Sequence, residues 1–299
     1  LGVKCNTTGP NAESDIADQV NMLNNAINKA PDGIALAACD QSSVLKSLQN
    51  ALDKKIPVVC FDTGVADAPE GSVYATVVTN NEEAGGIAAE KMYEALKDQL
   101  ANAKDTVRIG EVNQDATSGN ITGRGMGFIN KFIELAKADG KTVAVVGNDF
   151  YVNQVKDNGD QASADVVLEV AVPAQTTVEL CATEASNIMN KDDTIAMFGS
   201  NQVSAEGVLT ANQNLNKLGT DDDKIVAAGF DAGSVIKAAV KDGTLLGAVT
   251  QSPLMQGKIS IETLAKICDG ESVEDVTTDG YWYDSTNMED ADIIPNLYD

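Results

Sequence analysis

The chain has 299 residues, 43% of them hydrophobic, a length that accommodates more than one buried core and so roughly two domains. Its 45 acidic and 21 basic side chains leave a formal charge of −24, a field that repels nucleic-acid phosphates and anionic membrane surfaces and suits a highly soluble exterior. Histidine, the commonest general base and metal ligand, is absent, and the five cysteines (Cys5, Cys39, Cys60, Cys181 and Cys268) show neither a CxxC pair nor zinc spacing.

No catalytic residue, metal site or cofactor is therefore expected. Cys5, Cys39 and Cys60 fall in apolar, strand-like runs and are expected as small core residues. No apolar run approaches the roughly 20 residues that cross a bilayer.

In chain order, short β-rich runs alternate with longer runs of helical period, the pattern of crossover units on parallel sheets. Val3–Thr7 reads as a strand, and Glu13 to Lys29 as a helix with Ile16, Val20, Leu23 and Ile27 three or four apart. Ile34–Cys39, Pro57–Phe61 and Val73–Val78 are the next predicted strands, with a helix over Ser42 to Lys54 between the first two. A helix over Glu82 to Leu100 leads into a second series: strand Val107–Val112, helix Arg124 to Lys137, strand Thr142–Val146. The polar stretch Asn148–Ser163, with its Asp157-Asn-Gly-Asp160 turn signal, reads as an insertion or long loop. Strands then follow at Val166–Val172, Thr194–Phe198, Ile225–Gly229 and Leu245–Thr250, with helices around Val178 to Met189, from Ala205, and around Val235 to Val240. No internal repeat is evident.

Polar residues recur where the chain leaves a strand: Asp62, then Asn201, Asp231 and Gln251, with Arg124 at a helix start. Ligands of open parallel sheets bind outside the carboxyl ends of the strands, and this mixture of donors and acceptors suits a polyhydroxylated molecule whose hydroxyls leave water. Singly, Asp231 and Asn201 also read as helix or turn caps and Arg124 as a surface ion pair. Neither GxGxxG nor GxxxxGK[ST] occurs; Gly123-Arg-Gly-Met-Gly127 comes nearest but opens a helix without the third glycine of the fingerprint.

Six segments in order carry a resemblance: Pro57–Asp62, Thr79–Gly85, Thr117–Phe128, Phe198–Asn201, Val226–Asp231 and Gly247–Gly257. They resemble the ribose and related sugar-binding proteins of bacterial ABC importers, the type I periplasmic binding proteins. The resemblance implies an α/β fold of two doubly wound αβα lobes with parallel sheets, joined by three crossings near Thr79-Asn80, Gln251-Ser252 and Thr278–Tyr281. Lobe one would hold residues 1–79 and 252–279, lobe two 80–251 and 280–299, with a ribose-like pentose, hexose or furanose in the cleft between them.

Asp62, Arg124, Asn201, Asp231 and Gln251 match the family's sugar-contacting positions. Thr63 stands where ribose binders carry an arginine. Gln175 stands where they carry an aromatic wall, which leaves Phe150 or Tyr151 as substitutes, so a sugar other than ribose is expected. Trp282, Tyr281 and Tyr283 fall near the last crossing and are expected to pack structurally.

The resemblance further implies a monomeric, non-enzymatic receptor that delivers sugar to an ABC transporter permease. It would work outside the cytoplasm, periplasmic or lipid-anchored, and would not bind nucleic acid. The competing reading is the effector-binding core of a LacI-type repressor, which needs a basic headpiece and sits poorly with this acidity. In the family a strand, a ligand-contacting loop and a helix precede a segment like Leu1–Asn6. A trimmed amino terminus is therefore expected, with a strand missing between the Val3–Thr7 and Ile34–Cys39 strands, or else another chain or part of Asn148–Ser163 filling that place.

Overall fold

Runs rich in valine and isoleucine, each followed by a longer run of helical period, become the strands and helices of two parallel sheets. The computed structural model describes residues 2–221 and 223–298. The chain divides into two units, Leu1–Thr79 with Ser252–Thr278 and Asn80–Gln251 with Asp279–Asp299.

The smaller unit holds a sheet in the order β1 (Ile34–Leu36), β2 (Val58–Phe61), β3 (Val73–Thr79), β10 (Val276–Thr278), with every pair parallel. Successive side chains of a strand face opposite ways. Val58 and Cys60 accordingly pack with Leu23 and Ile27 of α1 (Ile16–Asn28) and Leu48 of α2 (Leu45–Asp53), while Val59 and Val77 meet Leu264 of α9 (Pro253–Cys268). Val3–Thr7, expected as a strand, is exposed and in no strand, and Cys5 is exposed with it rather than in the core. A β-rich run forms a strand only where a neighbour takes up its backbone groups, and no strand pairs with these residues. Cys39 is half-buried, whereas Cys60 is buried as expected, and that burial pushes its thiol up to about 11.

The larger unit contains β4 (Val107–Val112), β5 (Val143–Gly147), β6 (Val166–Ala171), β7 (Thr194–Gly199), β8 (Val226–Phe230), β9 (Gly247–Thr250) and β11 (Tyr281–Tyr283). Their spatial order is β11-β9-β8-β7-β4-β6-β5, all parallel except β11, which runs antiparallel to β9. One face is covered by α3 (Asn81–Asn102), α4 (Gly119–Ala138) and α5 (Asp149–Gln154), which pack on Ile109, Leu168 and Phe198. The other is covered by α6 (Val178–Met189), α7 (Gln202–Leu215) and α8 (Ser234–Lys241), which pack on Val112, Met197 and Ala227. This is the parallel α/β alternation that the periods predict, in the doubly wound arrangement that the resemblance implies.

Two local departures have physical causes. Asn148–Ser163 is not an unstructured insertion, because it contains α5. Beyond that helix, the Asn158 side chain accepts from the Val145 N–H and donates to the Val145 carbonyl, both at 2.8 Å, so an amide covers the outer side of edge strand β5. The Gly123-Arg-Gly-Met-Gly127 run is a packing device rather than a phosphate cradle. A Cβ at Gly127 would lie 2.1 Å from the Glu82 carbonyl oxygen, and one at Gly85 2.0 Å from that of Arg124, so α3 and α4 meet backbone to backbone. Trp282 packs as its position suggests: a Cβ on Gly247 would lie 2.2 Å from its ring, and its Nε1 donates to Asp284 at 2.9 Å. Among the described residues, no helix is long and apolar enough to cross a membrane.

Candidate functional site

After β4 the chain turns towards β5 on one side of the sheet, and after the adjacent β7 it turns towards β8 on the other. Connections that diverge from neighbouring strands leave a crevice at their carboxyl ends, the usual ligand position in an open sheet. Polar side chains two residues past the ends of these strands meet across this point, with Asn201 Nδ2 donating to Gln114 Oε1. Asn201 also caps α7, its Oδ1 accepting from the Ser204 N–H at 3.1 Å, so the capping role and the site position coexist.

Arg124 lies in the second turn of α4 and is 2% exposed. Its Nε donates to Asn81 Oδ1 at 2.8 Å, its Nη1 stands 3.5 Å from the Ser200 carbonyl oxygen and 3.9 Å from Asp231 Oδ2, and its guanidinium carbon sits 4.1 Å above the Phe230 ring centroid. Burying a guanidinium is costly unless its donors are occupied and its face is covered. Here an amide, a carbonyl, a carboxylate and an aromatic ring supply that setting.

Asp231 follows β8 with φ 73°, and its N–H donates to the Val249 carbonyl at 2.7 Å. One carboxylate oxygen accepts from the Gln202 N–H at 3.0 Å and the other from Gln251 Nε2 at 2.7 Å. The Tyr283 hydroxyl donates to the Asp231 carbonyl at 2.8 Å. Burial and the Asp231 charge push the Tyr283 and Tyr298 phenols above their ordinary range, so both rings stay neutral donors beside this carboxylate.

In the smaller unit Asp62 repeats the geometry. It follows β2 with φ 59°, its N–H donates to the Val77 carbonyl at 2.9 Å, and its Oδ2 accepts from the Thr63 hydroxyl at 3.2 Å. Phe61-Asp-Thr-Gly64 and Phe230-Asp-Ala-Gly233 are thus the same turn used twice, a repeat that reading for long periods does not reveal.

Arg124, Asn201, Asp231 and Gln251 belong to one hydrogen-bonded region of the larger unit. Gln175 is exposed in the loop before α6, where the neighbouring Thr176 hydroxyl lies 3.4 Å from the Gln114 carbonyl oxygen. Phe150, 38% exposed, begins α5 and stacks edge-on against Tyr151 at 5.2 Å. Residues that sequence reasoning passed over are Asn81, Gln114 and Gln202. Gln114 was findable in the polar pair Asn113-Gln114 directly beyond the end of β4, whereas the peptide N–H that Gln202 contributes has no sequence signal. The described residues contain no group of three Cys, Asp or Glu placed to hold a metal ion.

Residues 1–272 match the sequence profile of the periplasmic binding protein domain. The chain belongs to that family. A Brachyspira murdochii protein described as an "ABC transporter, LacI family transcriptional regulator" is 32% identical to this periplasmic binding protein. That alignment covers 100% of this chain and 90% of the other, with a TM-score of 0.82. An ABC transporter solute-binding protein from Agrobacterium vitis, solved with bound D-fucose, is 26% identical over 97% of this chain and 88% of its own, with a TM-score of 0.74. A second Agrobacterium vitis solute-binding protein, bound to α-D-tagatopyranose, shares the fold at 22% identity and TM-score 0.72, over 94% and 84% of the two chains. Comparison with curated protein sequences finds no match.

Proposed function

We propose that this periplasmic binding protein captures a neutral monosaccharide on the polar cluster around Arg124 and Asp231 and delivers it to the permease of an ABC importer outside the cytoplasm. The observation that carries the reading is the buried Arg124 guanidinium, backed by Phe230 and facing an Asp231 carboxylate that backbone and amide donors hold in place. Such an array offers charge-assisted donors and acceptors in fixed positions, which is what ring hydroxyls need when they leave water. Asn201 and Gln251 add amides, and Phe150 of α5, Gln175 of the loop before α6, and Asp62 are proposed to contact the same ligand. The Agrobacterium vitis relative with D-fucose supports a monosaccharide, and the −24 charge weighs against a DNA-bound role.

A ligand bound only by the folded protein raises the unfolding midpoint, so a thermal-shift screen with D-fucose and a panel of pentoses and hexoses identifies the sugar. Against that sugar, Asp231→Asn and Asp62→Asn should each weaken binding by about 5- to 150-fold, the equivalent of roughly 1–3 kcal/mol for a lost buried hydrogen bond. A panel with no stabilising sugar, or variants that bind like wild type, would overturn the reading.

A further inference from the structure

Glu111, in β4, and Asn113, just past it, have no exposed surface, and alternate residues of one extended run point to the same face. The Asn113 N–H donates to the Ala171 carbonyl at 3.0 Å, which prolongs the ladder with β6 and fixes this register. Asn113 Nδ2 donates to Glu111 Oε1 at 2.7 Å. The other oxygen of each group, Glu111 Oε2 and Asn113 Oδ1, is buried without a partner.

Orphaned buried acceptors cost free energy, and these two sit on groups already joined through Oε1 and Nδ2, each on the same carbon as the atom that makes that contact. A single proton on Oε2 satisfies both, by donating to Oδ1 and closing a carboxylic acid–amide ring of two hydrogen bonds.

Among the described residues no donor reaches either oxygen. The cross-strand neighbours of Glu111 are Val170 on β6 and Phe198 on β7. On α4 the contact is Gly125, where a Cβ would lie 2.7 Å from Glu111 Oε1 and 2.8 Å from Asn113 Nδ2, and the Tyr151 ring of α5 is 2.7 Å from the same point. The Tyr151 hydroxyl donates away, to the Asp115 carbonyl at 3.1 Å. Arg124, next to Gly125, turns its guanidinium to Asn81, Ser200, Asp231 and Phe230. Tyr151, the ionisable group that interacts with Glu111 electrostatically, brings no positive charge to offset a carboxylate.

We propose that Glu111 is a neutral carboxylic acid in the folded protein and that its Oε2 proton, donated to Asn113 Oδ1, makes the pair a proton-dependent seat for α4, the helix that carries Arg124. Glu111 is then a positioning residue, and Gly125 is the residue that lets α4 rest on it. Consistently, burial pushes the Glu111 carboxyl from 4.5 up to about 8, outweighing the lowering by the Asn113 hydrogen bond. The folded state therefore holds one proton more than the unfolded state between those values. Because its folded value is raised, the contribution to stability is full below about pH 4.5 and is lost as pH rises towards about 8.

The test compares wild type with Glu111→Gln, whose amide donates to Asn113 Oδ1 in place of the acid and does not titrate. The two should unfold at nearly the same temperature at about pH 5, with the variant's midpoint pulling ahead of wild type up to about pH 8 and the gap then holding constant. Infrared difference spectra at neutral pH should show a protonated-carboxyl band in wild type that the variant lacks and that disappears at higher pH. Parallel midpoint curves, or no protonated-carboxyl band in wild type, would overturn the proposal. Should the variant fold poorly, the wild-type infrared titration decides alone.

Discussion

Asp231 shows how a single residue can serve conformation and chemistry together. Its φ of 73° lies in the left-handed region that most L-residues avoid, and aspartate and asparagine tolerate it better than others do. This separates two substitutions that both remove the charge. Asp231→Asn keeps the turn, whereas Asp231→Ala adds strain of roughly 1–2 kcal/mol, so alanine should be the less stable variant in urea unfolding by about that amount; equal stabilities would show that the turn does not matter. At this scale the carboxylates were legible, because a charged residue directly after an apolar strand stands out. The pairing of polar side chains across the strands was not. Gln114 and Asn201 are 87 residues apart, and only the strand order that places β4 beside β7 brings them together.

At the scale of elements, α4 carries Arg124, and its glycines decide where it lies. Replacing an ordinary mid-helix glycine by alanine stabilises a protein by roughly 0.5–1 kcal/mol. Gly127→Ala should reverse that sign, because the new methyl would stand 2.1 Å from the Glu82 backbone oxygen and push α4 off α3. Overpacking of this kind costs roughly 1–3 kcal/mol, measurable by equilibrium unfolding, and a gain in stability would refute the close approach. The long periodic elements were legible from their spacing, since a strand period of two and a helix period of 3.6 differ over ten residues. The exceptions were too short or lacked partners. β10 and β11 have three residues each and no resolvable period, and Val3–Thr7 has strand-like composition without a neighbouring strand. α5 was hidden by the polar turn residues that follow it, one of which, Asn158, turned out to complete the edge of the sheet.

Across the whole molecule, charge sets which ligands can approach. An excess of 24 negative charges over 299 residues creates a self-repelling field that acts on ligands as well as on the fold. Raising ionic strength from about 0.01 M to about 0.15 M shortens the Debye length from roughly 30 Å to roughly 8 Å. That change should leave the affinity for a neutral monosaccharide nearly constant, because such a ligand carries no net charge for the long-range field to act on. A uronic acid of the same ring stereochemistry would have to approach through the negative field and place its carboxylate among Asp231 and its neighbours. It should therefore bind more weakly than the neutral sugar at low salt, and the difference should narrow as salt is added. Calorimetric titration of both ligands at the two ionic strengths measures this directly. Tighter binding of the acid at low salt would mean that Arg124, rather than the surrounding carboxylates, sets the potential at the site, and would move the ligand class from neutral to anionic sugars.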